Sequence, residues 1–172
     1  LPALWLLSDA RNDEGLAAAL ARLPRGSGFI YRHYHLPDPD RYHRFRELRR
    51  IAEARGHVVI LADSAMTALG WGADGTYGAP LALWPRRAGL VQLATAHDAR
   101  EIAMAARKGA DAVLLSPVFA TRSHPGAAVL GPVRFRLLAQ LSPVPVIALG
   151  GMTPRHARAL DWPRWAAIDG LS

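Results

Sequence analysis

Two short stretches of this chain carry groups suited to holding phosphate. Residues 116–126 read Ser-Pro-Val-Phe-Ala-Thr-Arg-Ser-His-Pro-Gly, with hydroxyls at Ser116, Thr121 and Ser123, a guanidinium at Arg122 and a titratable imidazole at His124. Such a loop can surround an anion with donors from several directions, and the same residue types also build ordinary solvated loops. Residues 145–154 form an apolar run that ends in Gly150 and Gly151 and continues into a helix start that Thr153 can cap. Exposed backbone N–H groups at such a place suit an anion. Tight packing is the other reason for paired glycines, and the sequence leaves both readings open.

The remaining polar candidates share one position, because each lies at the end of a short apolar run: Ser8 and Asp9, Arg32 and His33, Asp63 and Ser64, Tyr77, Thr95 and His97, and Asp169 with Gly170. The runs at 3–7, 29–34, 58–62, 75–77, 90–94, 112–116, 144–149 and 165–168 read as strands. Helical patterns at 12–23, 41–55, 64–71, 97–108, 132–141 and 154–160 stand between most of them. Apolar strands without clean alternation, separated by helices, indicate parallel strands covered on both faces. The expected fold is α/β, a (β/α)8 TIM barrel forming one domain over residues 1–172, with an open doubly wound sheet as the alternative. At 172 residues the chain is short for a barrel, whose usual lower bound is about 200, so the last helix is expected to be missing. Gly72-Ala73-Asp74 and Gly109-Ala110-Asp111 read as a repeated helix-to-strand joint, with Trp165-Ala166-Ala167 as a degraded third. In either architecture, function belongs at the strand C-terminal ends.

Composition narrows the classes of partner. The chain is 51% hydrophobic and 20% charged, which suits a globular core. It has no cysteine, which excludes disulfides, thiolate metal sites and a cysteine nucleophile and makes a cytoplasmic location the default. No apolar run approaches the roughly 18 residues of a membrane span. The net charge of +7 rests on arginine, since Lys108 is the only lysine. The densest cluster, residues 41–55, places Phe45, Leu48, Ile51 and Ala52 at helical spacing, so its arginines are expected on the solvated side. Nucleic acid is thereby disfavoured as a partner. His33, His35 and His43 lack a fixed metal-ligand spacing and read as surface histidines rather than a zinc site.

The order of the motifs carries a resemblance. A strand ending in Ser116-Pro117-Val118-Phe119, the hydroxyl-rich loop after it, and then the run through Gly150 and Gly151 to Met152 and Thr153 resembles the thiamine phosphate synthase family and its TenI-type relatives. Thr95-Ala96-His97, the Gly109 joint and Asp63 at the third strand end extend the likeness. It implies a barrel that joins a hydroxymethylpyrimidine diphosphate to a thiazole phosphate and releases pyrophosphate. Its implied partners are small phosphate substrates, and a homo-oligomer is compatible with it. It assigns Arg32, Thr95 and His124 to catalysis, and Thr121, Arg122, Ser123, Gly150, Gly151 and Gly170 to substrate phosphate. Asp63 is assigned to magnesium.

Departures from the family pattern fall on one side of this site. The family's Gln-x-Arg-x-Lys on the second strand reads Ile30-Tyr31-Arg32-His33-Tyr34, and His124 replaces a loop lysine. No Asp or Glu lies between Asp74 and Asp98, so the magnesium site is incomplete. Ser116-Pro117 stands where TenI-type tautomerases carry a catalytic histidine, which disfavours that activity. The alternatives to an active synthase are a relative that binds a thiazole phosphate or other small phosphate without the transfer step and, at lower weight, nucleic-acid binding through the face of residues 41–55.

Overall fold

The computed structural model describes residues 1–122, 126 and 128–171. Eight short strands, β1 (Leu4–Leu7), β2 (Gly28–Tyr31), β3 (Val58–Leu61), β4 (Gly75–Gly78), β5 (Val91–Ala96), β6 (Ala112–Leu115), β7 (Val146–Ala148) and β8 (Trp165–Ala167), pair in parallel in chain order. Pairing of Leu4, Trp5 and Leu6 with Trp165, Ala166 and Ala167 closes the barrel. Helices α1 (Asp13–Arg22), α2 (Asp38–Ala54), α3 (Ala65–Trp71), α4 (Ala99–Arg107), α5 (Gly131–Gln140) and α6 (Pro154–Leu160) connect successive strands. A 3-10 turn, Asp169–Leu171, follows β8, and no α-helix follows it among the described residues. Among the described residues, no helix is long and apolar enough to cross a membrane.

The period of two along each strand divides the core. Trp5, Leu7, Ile30, Ile60, Leu93, Leu114 and Ile147 fill the barrel interior. Leu6, Phe29, Tyr31 and Val59 pack outward with Leu16 and Leu20 of α1 and Phe45 and Leu48 of α2. Ala94, Val113, Leu115 and Ala148 do the same with residues of α4, α5 and α6. Each large side chain buried in these layers contributes about 1.5–3 kcal/mol. The Trp5 indole occupies the space above Gly28 of the adjacent strand, where an added Cβ would lie 2.0 Å from its Cε3.

Residues 79–90 between β4 and β5, which carry no helical pattern, contain no helix, because Pro80, Pro85 and Gly89 interrupt the segment. Two local readings are corrected. The first two joints form as expected, with Gly72 and Gly109 at φ +74° and +78°. Their aspartates accept strand N–H groups, Asp74 from Val59 at 2.7 Å and Asp111 from Gln92 at 2.8 Å. The third joint is not one: α6 ends with Asp161 in the left-handed conformation, and residues 165–167 are β8 itself. Finally, Arg41 of α2 is buried beside Phe45, Leu48 and Ala52 rather than solvated.

Candidate active site

The strand C-terminal ends form a mouth containing two adjoining cavities. The larger, about 660 Å³, is lined by Arg32, Tyr77, Thr95, His97, Ser116 and Arg134, among others. The smaller, about 250 Å³, is lined by Thr121, Arg122, Gly150, Gly151, Asp169 and Gly170 with their neighbours. Thr121, Leu149, Gly150 and Ile168 face both. Of the sequence-derived candidates, Arg32 and Thr95 therefore reach the larger cavity, Arg122, Gly151 and Gly170 the smaller, and Thr121 and Gly150 the wall between them. Ser123 and His124 lie outside the described residues.

Arg32 is held in place from the end of β1. Its backbone N–H donates to Ser8 Oγ at 2.7 Å, its Nε donates to the Ser8 carbonyl at 2.9 Å, and Nη2 pairs with Asp9 Oδ2 at 2.8 Å. Burial opposes ionisation of Asp9, but the Arg11 N–H, the Arg11 guanidinium and Arg32 outweigh it and hold the carboxyl below its ordinary range. The guanidinium is thus oriented by one edge, a geometry that lysine cannot reproduce. Across the cavity, burial pushes the Tyr77 hydroxyl up to about 12, so it remains protonated.

The glycines of the smaller cavity are fixed by packing. Gly150 and Gly151 have φ of +96° and +61°, and a Cβ at either would strike the loop after β6: Pro117 Cα at 2.6 Å for Gly150 and the Ala120 carbonyl at 2.3 Å for Gly151. A Cβ on Gly170 would meet the Met152 carbonyl at 2.3 Å. The two loops therefore touch backbone to backbone, which brings Thr121 and Arg122 to the glycine turn. His156 of α6 fastens the turn, with Nδ1 2.6 Å from the Gly151 carbonyl and its ring stacked on Phe119. Asp169 introduces an opposing charge, moderated by Arg11 Nη1 at 3.7 Å.

Asp63 lines neither of these cavities. Its Oδ2 accepts from Arg41 Nη1 at 2.6 Å and its Oδ1 from the Ser64 N–H at 2.7 Å. Burial raises its pKa, yet the hydrogen bonds from Arg41, Ser64 and Thr67 and the charge of Arg41 bring it below the ordinary value. Arg41 also donates Nε to the Arg32 carbonyl and Nη2 to the Ala62 carbonyl, both at 3.0 Å. Sequence reasoning missed Arg41, Arg134 and His156. Arg41 is concealed within an arginine-rich helix, though its helical register with Phe45 and Leu48 gave a signal.

A closed parallel barrel with its polar groups gathered at the C-terminal mouth defines a (β/α)8 protein. The family described as thiamine monophosphate synthase matches residues 5–162, and the chain belongs to that family. It is 33% identical to a thiamine-phosphate synthase of Chloroflexus aurantiacus, over 98% of this chain and 82% of that one. It is 27% identical to a putative thiamine-phosphate synthase 2 of Aquifex aeolicus, over 89% and 87% of the two chains. Among solved structures, a thiamine phosphate pyrophosphorylase from Pyrococcus furiosus superposes with a TM-score of 0.79 at 24% identity, covering 96% of this chain and 84% of that one.

Proposed function

We propose that this protein acts in thiamine biosynthesis, joining a hydroxymethylpyrimidine diphosphate to a thiazole phosphate with release of pyrophosphate. The observation that carries this reading is the pair of cavities with a common wall at Thr121 and Gly150. The smaller suits a terminal phosphate, and the larger falls within the volume range of small-molecule sites. In the reaction, the bond from the pyrimidine methylene carbon to the diphosphate oxygen breaks, its electron pair leaving with pyrophosphate. The thiazole ring nitrogen supplies the pair for the new carbon–nitrogen bond.

Negative charge grows on the leaving group, so positioned cations and donors contribute most. Arg32 fits this task because Ser8 and Asp9 already orient it. Arg134 lies on the same cavity, and Thr95 offers a hydroxyl to orient either substrate. Thr121, Arg122 and the backbone of Gly150, Gly151 and Gly170 hold the thiazole phosphate, with Ser123 and His124 assigned to the same loop. A cytoplasmic location fits a chain without cysteine.

The resemblance also implies magnesium, at Asp63. Magnesium is commonly held by one or two carboxylates together with substrate phosphates. Here the carboxylate that the resemblance assigns to the ion has both oxygens engaged, one of them by a guanidinium. These residues do not fit a resident magnesium ion. That pairing favours a second reading, a relative that keeps the phosphate ligand and has lost the transfer.

Mixing the purified chain with both substrates and following thiamine phosphate and pyrophosphate separates the two. Stoichiometric formation of both products supports the synthase. No turnover with or without added divalent metal, alongside calorimetric binding of the thiazole phosphate, supports the second reading and refutes the first.

A further inference from the structure

Beyond its mouth, the barrel carries a cluster that the transfer reaction does not use. After β2 the chain continues as Arg32, His33, Tyr34 and His35. Arg32 faces the larger cavity, whereas His33 packs outside the barrel, 1% exposed, with its ring stacked on Tyr31 at 4.7 Å. It is not the surface histidine its surroundings in sequence indicate. Its φ is +39°, in the left-handed region, which disfavours a residue bearing a Cβ. Its Nδ1 lies 2.7 Å from Ser8 Oγ. Its Nε2 is 2.9 Å from Asp13 Oδ1, but no directed hydrogen bond forms, so this buried nitrogen has no hydrogen-bond partner. The exposed His35 ring lies 5.0 Å from that of His33, and one donor atom from each of Asp13, His33 and His35 falls within 4.8 Å of the others.

We propose that Asp13, His33 and His35 bind one divalent transition ion of the zinc or cobalt class. Two imidazoles and a carboxylate suit such an ion, whereas magnesium and calcium prefer oxygen donors. Three protein ligands leave a further position for water. Ser8 serves as the partner of the second ring nitrogen: with Nδ1–H donating to its Oγ, Nε2 is the ligand atom. A bound ion gives Nε2, which has the Asp13 carboxylate beside it, a directed partner. Arg44 opposes the ion, because its Nε and Nη2 both lie 2.8 Å from Asp13 Oδ1. The ion must share that carboxylate with the guanidinium.

The test uses the whole chain, stripped of metal and without an affinity tag, titrated with cobalt(II) and followed by visible absorption, with zinc as competitor. One saturable equivalent is expected, displaced by zinc. His35→Ala and Asp13→Asn should each weaken it by at least about tenfold. His43→Ala, an exposed histidine outside the cluster, should leave it unchanged. Zinc should also raise the melting temperature of the wild type and not that of His35→Ala, whose exposed side chain makes loss of fold an inadequate explanation. Absence of saturable binding, full affinity in His35→Ala, or an equal loss in His43→Ala overturns the proposal.

Discussion

Replacing Arg41 by methionine isolates the ion pair that stands where the family resemblance puts a metal. The stem is kept, and three contacts go: Nη1 to Asp63 Oδ2, Nε to the Arg32 carbonyl and Nη2 to the Ala62 carbonyl. Removing one partner of a fully buried pair costs about 3–5 kcal/mol, mainly because the other charge is stranded. Arg41 is 7% exposed at its side chain and Asp63 29%, so water relieves part of that penalty. The expected loss is therefore about 2–3 kcal/mol, or roughly 5–10 °C in Tm for a chain of this size. Urea unfolding of wild type, Arg41→Met, Asp63→Asn and the double variant should give a coupling energy of about 1–3 kcal/mol. Magnesium should leave the wild-type Tm unchanged, because Arg41 already engages the Asp63 carboxylate. A loss below about 0.5 kcal/mol, typical of a neutral surface change, would refute the clasp. A wild type stabilised by magnesium would refute the reasoning about the metal.

Three further outcomes follow from the same geometry. Arg122→Ala should weaken thiazole phosphate binding about tenfold, the value of one charge-assisted hydrogen bond of about 1.5 kcal/mol, with no change in Tm because the residue is exposed; unchanged affinity by calorimetry removes Arg122 from the site. The folded-state pKa of Asp63 lies below that of the unfolded chain, so its stabilisation is complete above about pH 4 and is lost as pH falls through the folded value. The urea midpoint should therefore fall more steeply below pH 4 in wild type than in Asp63→Asn, and parallel curves contradict the pairing. Arg49→Lys should lower stability by about 0.5–1 kcal/mol, because one ammonium cannot reproduce the fork that joins Arg49 to the Trp71 carbonyl and Glu53; thermal unfolding at the wild-type temperature would contradict this.

The barrel was legible because its signals are local. Apolar runs of strand length, glycines at helix ends and the spacing of Phe45, Leu48 and Ala52 each act within a few residues. The site was legible in part for the same reason, since strand ends carry function in this architecture. Partnerships across elements were not legible. Nothing in the sequence around Asp63 indicates that a guanidinium 22 residues earlier takes its carboxylate. Gly150 and Gly151 carried two readings, and the close approach of Pro117 and Ala120 establishes packing as one cause without removing the other. His33 was misread because its burial depends on α1 lying over the end of β2, a tertiary contact absent from any local pattern.

Part of the preference for arginine has a structural reason that composition alone could not supply. Arg49 donates to the Trp71 carbonyl at the end of α3, Arg55 to Leu23 past α1, Arg86 to Gly109 past α4, and Arg136 to Leu160 at the end of α6. Carbonyls at helix C-termini lack intrahelical donors and carry the negative end of the helix dipole, so a cation there satisfies both needs. A guanidinium does more than an ammonium, because a second nitrogen can hold a carboxylate in the same plane: Arg49 also binds Glu53, and Arg86 binds Asp111. The joint glycines belong to this arrangement. A Cβ on Gly72 would lie 2.4 Å from Arg49 Nη1, and one on Gly109 would be 3.4 Å from Arg86 Cδ. Glycine therefore permits the left-handed turn and leaves room for the guanidinium that caps the helix before it. Within residues 41–55, Arg41, Arg44, Arg49 and Arg55 are all tied to carboxylates or carbonyls of the fold. Within that cluster, the positive charge that first directs attention to nucleic acid is thus largely engaged within the fold, and Arg32, Arg122 and Arg134 are cations positioned at the mouth.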